Sequence, residues 1–81
     1  MLFRRFPVEE NKTLIAINTE YVTLGQFLKL ADIISSGGQA KSYLAEHDII
    51  VDGAIDNRRG RKLFPGTLVK ADQRLFEVVK Q

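Results

Sequence analysis

Four cations crowd the five positions of Arg58-Arg59-Gly60-Arg61-Lys62, and nowhere else does this 81-residue chain concentrate charge in that way. Guanidinium forks match phosphate oxygens two at a time, so Asn57 to Lys62 suits several phosphates of a folded nucleic acid. The competing reading is a solvated loop that only maintains solubility. A net charge of +2 decides little by itself; its distribution decides more. Arg4, Arg5 and Lys12 balance Glu9, Glu10 and Glu20, and near the end Arg74 and Lys80 balance Asp72 and Glu77. The excess lies in residues 23–70, with seven basic side chains against five acidic. Such locality is what a phosphate footprint requires.

A second candidate is Ser35-Ser36-Gly37-Gly38-Gln39-Ala40-Lys41. A helix starting here presents amide N–H groups and a positive dipole end, two glycines admit a phosphate close to the backbone, and Lys41 and Ser42 flank it. Equally, Ser36 merely caps and the glycines merely turn. Lys29 on the first helix is a second cation that can join this face, although a lone surface lysine is commonly no more than that. Other chemistry lacks its residues. His47 is the only histidine and there is no cysteine, so zinc-site and disulfide spacings are absent. His47 reads as a helix-end residue satisfied by a nearby carbonyl. Asp32, Glu46, Asp48, Asp52 and Asp56 are scattered, without the spacing of a metal loop or an acid–base pair. Phe27 and Tyr43 fall at core positions, and the aromatics as a set read as too few and too buried for a base-stacking platform. Nothing in the pattern is catalytic, and it calls for no cofactor, metal or small-molecule substrate.

The elements that position these groups are legible in outline. Leu24, Phe27, Leu28, Ala31 and Ile34 make an apolar stripe at helical spacing. Thr23 with Gln26 is a capping-box pair, Val22 with Phe27 the accompanying staple, and Ser36 with Gln39 repeats the box. Two helices are expected, roughly 24–34 and 37–47, with any left-handed residue after the second falling on His47 or Asp48. Thr13 to Asn18 reads as a strand and Ile49-Ile50-Val51 as another. Asp52-Gly53 is a tight-turn signal leading to Ala54-Ile55, Asp56 to Lys62 an exposed loop, and Pro65-Gly66 a type II turn. Thr67–Lys70 and Leu75–Val79 are the last strands. Strand, two helices, then short strands argue a small α+β domain.

Length allows one domain with a modest core. Residues 1–12 read as a loosely held arm and 13–81 as the domain. No stretch has the apolar length of a secretory signal or a bilayer span, so a soluble cytoplasmic protein, monomeric rather than oligomeric, is expected.

The ordered pattern Leu24-x-x-Phe27-Leu28-Lys29-x-Ala31, Ile34-Ser35-Ser36, Ala40-Lys41-x-x-Leu44, Ile49-Ile50-Val51-Asp52-Gly53 and Lys62-Leu63-x-Pro65-Gly66-x-Leu68-Val69 resembles the RNA-binding domain of ribosomal small-subunit protein S-four, the αL motif, over residues 23–69. The basic loop and small size most resemble its stand-alone YaaA-type members. The resemblance implies a helical pair packed on a small twisted, mostly antiparallel sheet. It implies binding of structured RNA, ribosomal RNA first of all, in ribosome biogenesis or association. The implied RNA face falls on Ser36, Gly37, Gly38, Gln39, Lys41 and Ser42, with Arg58, Arg59, Arg61 and Lys62 added in this subfamily. Thr23 and Gly25 stand where the family commonly opens its first helix with a basic and an acidic residue. Gly37 stands for a basic residue, and His47-Asp48 for a glycine and a basic one. These departures shift the binding burden toward the basic loop. The alternative is a protein-interaction module docking through its helical face and its N-terminal arm, with Leu2, Phe3 and Phe6 as anchors.

Overall fold

The computed structural model describes residues 12–81, so the expected arm up to residue 11, with its anchors Leu2, Phe3 and Phe6, lies outside the described residues. Seven strands and two helices follow in the order β1 (Thr13–Ile17), β2 (Val22–Thr23), α1 (Leu24–Leu30), a 3-10 turn (Gly37–Gln39), α2 (Ala40–Glu46), β3 (Ile50–Val51), β4 (Ala54–Ile55), β5 (Lys62–Leu63), β6 (Leu68–Ala71) and β7 (Arg74–Lys80). The fold is α+β. One five-stranded sheet runs β1-β7-β6-β3-β4, and β2 pairs with β5 in a separate two-stranded ribbon. The pairing is antiparallel except for β1 and β7, which run parallel with Leu14 opposite Glu77. Strands from opposite ends of the chain thus lie side by side, and the Lys12–Glu77 ion pair at 2.6 Å ties them.

The expected stripe is the core. Leu24, Phe27, Leu28, Ala31 and Ile34 are all buried and meet Val51, Val69, Phe76 and Val78 from alternate positions of the sheet. Phe27 and Phe76 meet edge to face at 5.5 Å between centroids, the geometry that the ring quadrupoles favour. From α2, Ala40 and Leu44 join them and Tyr43 is partly buried. The Thr23–Gln26 capping box forms in full. At the second start the Gln39 side chain accepts from the N–H groups of Ser35 and Ser36 at 2.6 and 3.1 Å.

Helix α1 ends at Leu30, four residues before the expected limit. Asp32 takes φ 62°, with its N–H donating to the Lys29 carbonyl and the Ile33 N–H to that of Leu28. That pair of bonds is a Schellman motif, usually marked by glycine at the left-handed position. Ile33 and Ile34 therefore reach the core from the turn after the helix. The end of α2 departs in the other sense. His47 is extended (φ −133°), and neither it nor Asp48 is left-handed. The His47 ring stacks on Tyr43 at 4.1 Å, and its Nδ1 lies 3.0 Å from the Tyr43 carbonyl, the structural role expected for it.

Asp52 and Gly53 have φ 49° and 88°, a type I′ geometry between β3 and β4. Gly66 has φ 99° after Pro65, as a type II turn requires. The β6–β7 hairpin turns through Asp72 and Gln73, at φ 53° and 60°, with no glycine. Left-handed backbone costs an ordinary residue about 1 kcal/mol. Gln73→Gly is therefore expected to raise stability by about 0.5 kcal/mol or more, after the loss from a freer unfolded chain. A shift of the urea midpoint to higher concentration checks it.

Candidate nucleic-acid interface

The basic loop is built around a buried acid. After β4 the Asp56 N–H donates to the Ile49 carbonyl at 2.9 Å, and Asn57 Oδ1 accepts from the Ile49 N–H at 3.2 Å, so the loop leaves a fixed base. The Asp56 residue is only 9% exposed. Its Oδ1 accepts from the backbone N–H and the Nε of Arg58, both at 3.0 Å. Its Oδ2 accepts from Arg58 Nη2 at 2.7 Å and Arg61 Nη1 at 2.6 Å. The side-chain hydrogen bonds of Arg58 come first in holding this carboxyl well below the usual carboxylate range. Burial opposes them, and the Arg58 amide, Arg61 and the Arg58 charge add to them. Asp56 was expected in an exposed loop, as one of several scattered carboxylates; it is buried and organises that loop. The available signal was its place two residues before Arg58, the spacing at which an Asp side chain bonds a backbone N–H.

The same loop finishes helix α1. The first helical N–H groups need partners outside the helix. Leu24 N–H donates to the Arg61 carbonyl at 2.8 Å, Gly25 N–H to that of Arg59 at 3.0 Å, and Gln26 N–H to Thr23 Oγ1. Gly25 is the place where the loop and the helix touch. A Cβ on it would lie 2.8 Å from Arg59 Cγ, in the stem of that side chain, and 3.5 Å from Ala40 Cβ. A glycine-to-alanine change inside a helix ordinarily stabilises by about 1 kcal/mol. Gly25→Ala is expected to give none of that gain, because the Arg59 stem has to move. Equal or lower urea midpoints for the variant check this.

The basic residues divide into two groups. Arg59 lines one groove with Lys29, Gly25 and Gly37 and another with Lys41, Leu44 and Asn57, so its side chain stands between the two helices. Among the described residues, Lys29, Lys41 and Arg59 form no ion pair. Arg58, Arg61 and Lys62 line a different groove with Gly60 and Phe64. There Arg58 and Arg61 are engaged by Asp56, and Lys62 Nζ lies 4.9 Å over the Tyr21 ring. Gln39 and Ser42 line the opposite flank of α2 with Tyr43 and Glu46. Ser36, Gly37 and Gly38 are exposed, and neither glycine adopts a positive φ. A Cβ at either would meet nothing nearer than 3.9 Å, so the fold itself does not demand glycine there. Of the residues expected on the binding face, Arg59 is common to two neighbouring grooves, one holding Gly37 with Lys29 and the other Lys41.

Among the described residues no helix is long and apolar enough to cross a membrane. The S4 domain family matches residues 15–79. A protein of Bacillus subtilis (strain 168), described as probable ribosome maturation protein RlbA, is 59% identical over 58 residues, which span 72% of this chain and 82% of that one. With the helical pair, the sheet and this match over most of its length, the chain belongs to the S4 domain family.

Proposed function

We propose that this protein is a non-catalytic RNA-binding protein that recognises structured ribosomal RNA through its phosphates and acts in ribosome maturation. The observation that carries this reading is the grouping of Lys29, Arg59 and Lys41 on one surface across both helices, without acidic partners among the described residues. The description of the Bacillus relative as a ribosome maturation protein supports the setting. Each cation that meets a phosphate releases condensed counterions, so affinity falls with salt in proportion to the number of contacts. Gly37 lines a groove with Arg59 and has open space where a Cβ would stand, leaving room there for a sugar–phosphate backbone. Shape dominates recognition of paired regions, because an A-form major groove is too narrow for side chains to read.

Fluorescence anisotropy with folded ribosomal RNA fragments and a plain duplex, at several salt concentrations, tests the reading. The expected result is tighter binding of the folded fragments with a steep log–log salt slope. Absence of binding at low salt overturns it.

A further inference from the structure

We infer that the aromatic pair Phe64 and Tyr21, beside the second group of cations, is a stacking site for one unpaired nucleobase. This rests on the RNA-binding reading above and adds a base contact to a surface otherwise made for phosphates.

Phe64 is 46% exposed, although the pattern of the chain placed its aromatics inside. Its ring leans on Tyr21 at 5.6 Å between centroids, tilted by 48°. The Lys62 ammonium sits over the Tyr21 ring, 4.9 Å from its centroid. The backbone beneath is held on both sides, because Phe64 N–H donates to Thr67 Oγ1 at 3.2 Å and Thr67 N–H to the Phe64 carbonyl at 3.0 Å. A ring carried on a pinned turn loses little freedom when something stacks on it.

The surroundings choose the ligand. The groove that Phe64 lines has a volume of about 610 Å³ and is shared with Arg58, Gly60, Arg61, Lys62 and Asp52. Arg58 and Arg61 donate to Asp56 through some of their N–H groups, and the Arg58 side chain is 74% exposed, so further donors face solvent. A bare apolar surface would suit a protein side chain as well as a base. An open ring flanked by oriented guanidinium groups matches a nucleotide, which carries a flat apolar face and an anion on one short unit. Gly60 lines the same groove, and open space surrounds its Cα, with nothing within 4 Å of where a Cβ would stand. Bases inside a duplex are already stacked on one another, so this site selects a bulged, looped or terminal nucleotide.

The test uses the whole chain and two RNA probes, a plain duplex and the same duplex with one bulged 2-aminopurine. Wild type is expected to bind the bulged probe about tenfold more tightly and to quench the 2-aminopurine on binding. Phe64→Leu keeps apolar bulk but removes the stacking face. It is expected to lose both the preference and the quench while binding the plain duplex as wild type does; Phe64→Tyr is expected to keep both. Duplex binding with no preference in wild type, or a preference that survives Phe64→Leu, overturns the stacking site and leaves the RNA reading standing. A ring that serves a protein partner gives this same outcome. Failure of wild type to bind either probe at low salt overturns both readings.

Discussion

Asp56→Ala is expected to lower stability by about 2 kcal/mol, and with it the melting temperature by about 10 °C for a domain of this size. The substitution removes the common acceptor of four hydrogen bonds, from the Arg58 amide, Arg58 Nε, Arg58 Nη2 and Arg61 Nη1. Removing one partner of a fully buried ion pair costs about 3–5 kcal/mol. The cost here is smaller because both guanidinium groups reach water once released, and exposed pairing is screened. The damage does not stay in the loop. Carbonyls of Arg59 and Arg61 accept the first two amides of α1, so a loosened loop also frays the helix that carries Phe27 into the core. Thermal and urea unfolding at neutral pH measure the loss.

The pH dependence of stability identifies the same group. Asp56 is depressed in the folded protein, so its contribution is complete above the ordinary carboxylate value of about 3.9 and is lost as pH falls toward the folded value. Asp56→Asn removes that titration. The variant is expected to be less stable than wild type at neutral pH and to lose less stability on acidification. A wild-type advantage of the same size at pH 7 and at acid pH would show that the Asp56 charge is not what holds the loop.

The second large effect concerns RNA. Lys29→Ala, Lys41→Ala and Arg59→Ala together are expected to weaken binding to a folded ribosomal RNA fragment by about a hundredfold or more near 0.1 M salt. By counterion release, each phosphate contact contributes about a factor of five to eight at that salt, and three contacts multiply. The log–log salt slope is expected to become shallower by about two to three units. Alanine at Arg58, Arg59, Arg61 and Lys62 is also expected to weaken binding and flatten the slope. It removes both partners of Asp56 as well, so lost affinity there mixes lost phosphate contacts with a disordered loop. The Lys29, Lys41 and Arg59 set leaves that ion-pair cluster intact. Unchanged affinity in this folded triple variant would remove those cations from the interface.

Much of the fold was legible because its signals are local. The Thr23–Gln26 box and the stripe from Leu24 to Ile34 lie within a dozen consecutive residues, and Asp52-Gly53 and Pro65-Gly66 carry their turn chemistry in adjacent residues. What was missed depends on partners far along the chain, or on a conformation the residue type does not announce. Asp32 ends α1 in a left-handed conformation usually marked by glycine, and Asp72-Gln73 turns a hairpin the same way. The β2–β5 ribbon is two residues long on each side, too short to show a period.

By itself the sequence determined the class of the protein. It shows two capped helices, short strands after them, a local excess of basic charge and the ordered pattern of one family, each a matter of residue type and spacing. Tertiary structure alone decided which cations are available. Asp56 is close to Arg58 and Arg61 in sequence, but its weight comes from being buried, where an ionised carboxylate must be paired and hydrogen-bonded. That requirement draws Arg58 and Arg61 to one side of the loop. Gly25 gives the Arg59 stem room against α1, and that side chain stands between Lys29 and Lys41. Four neighbouring charges in the chain become two different surfaces because burial, which spacing does not reveal, assigns them different partners.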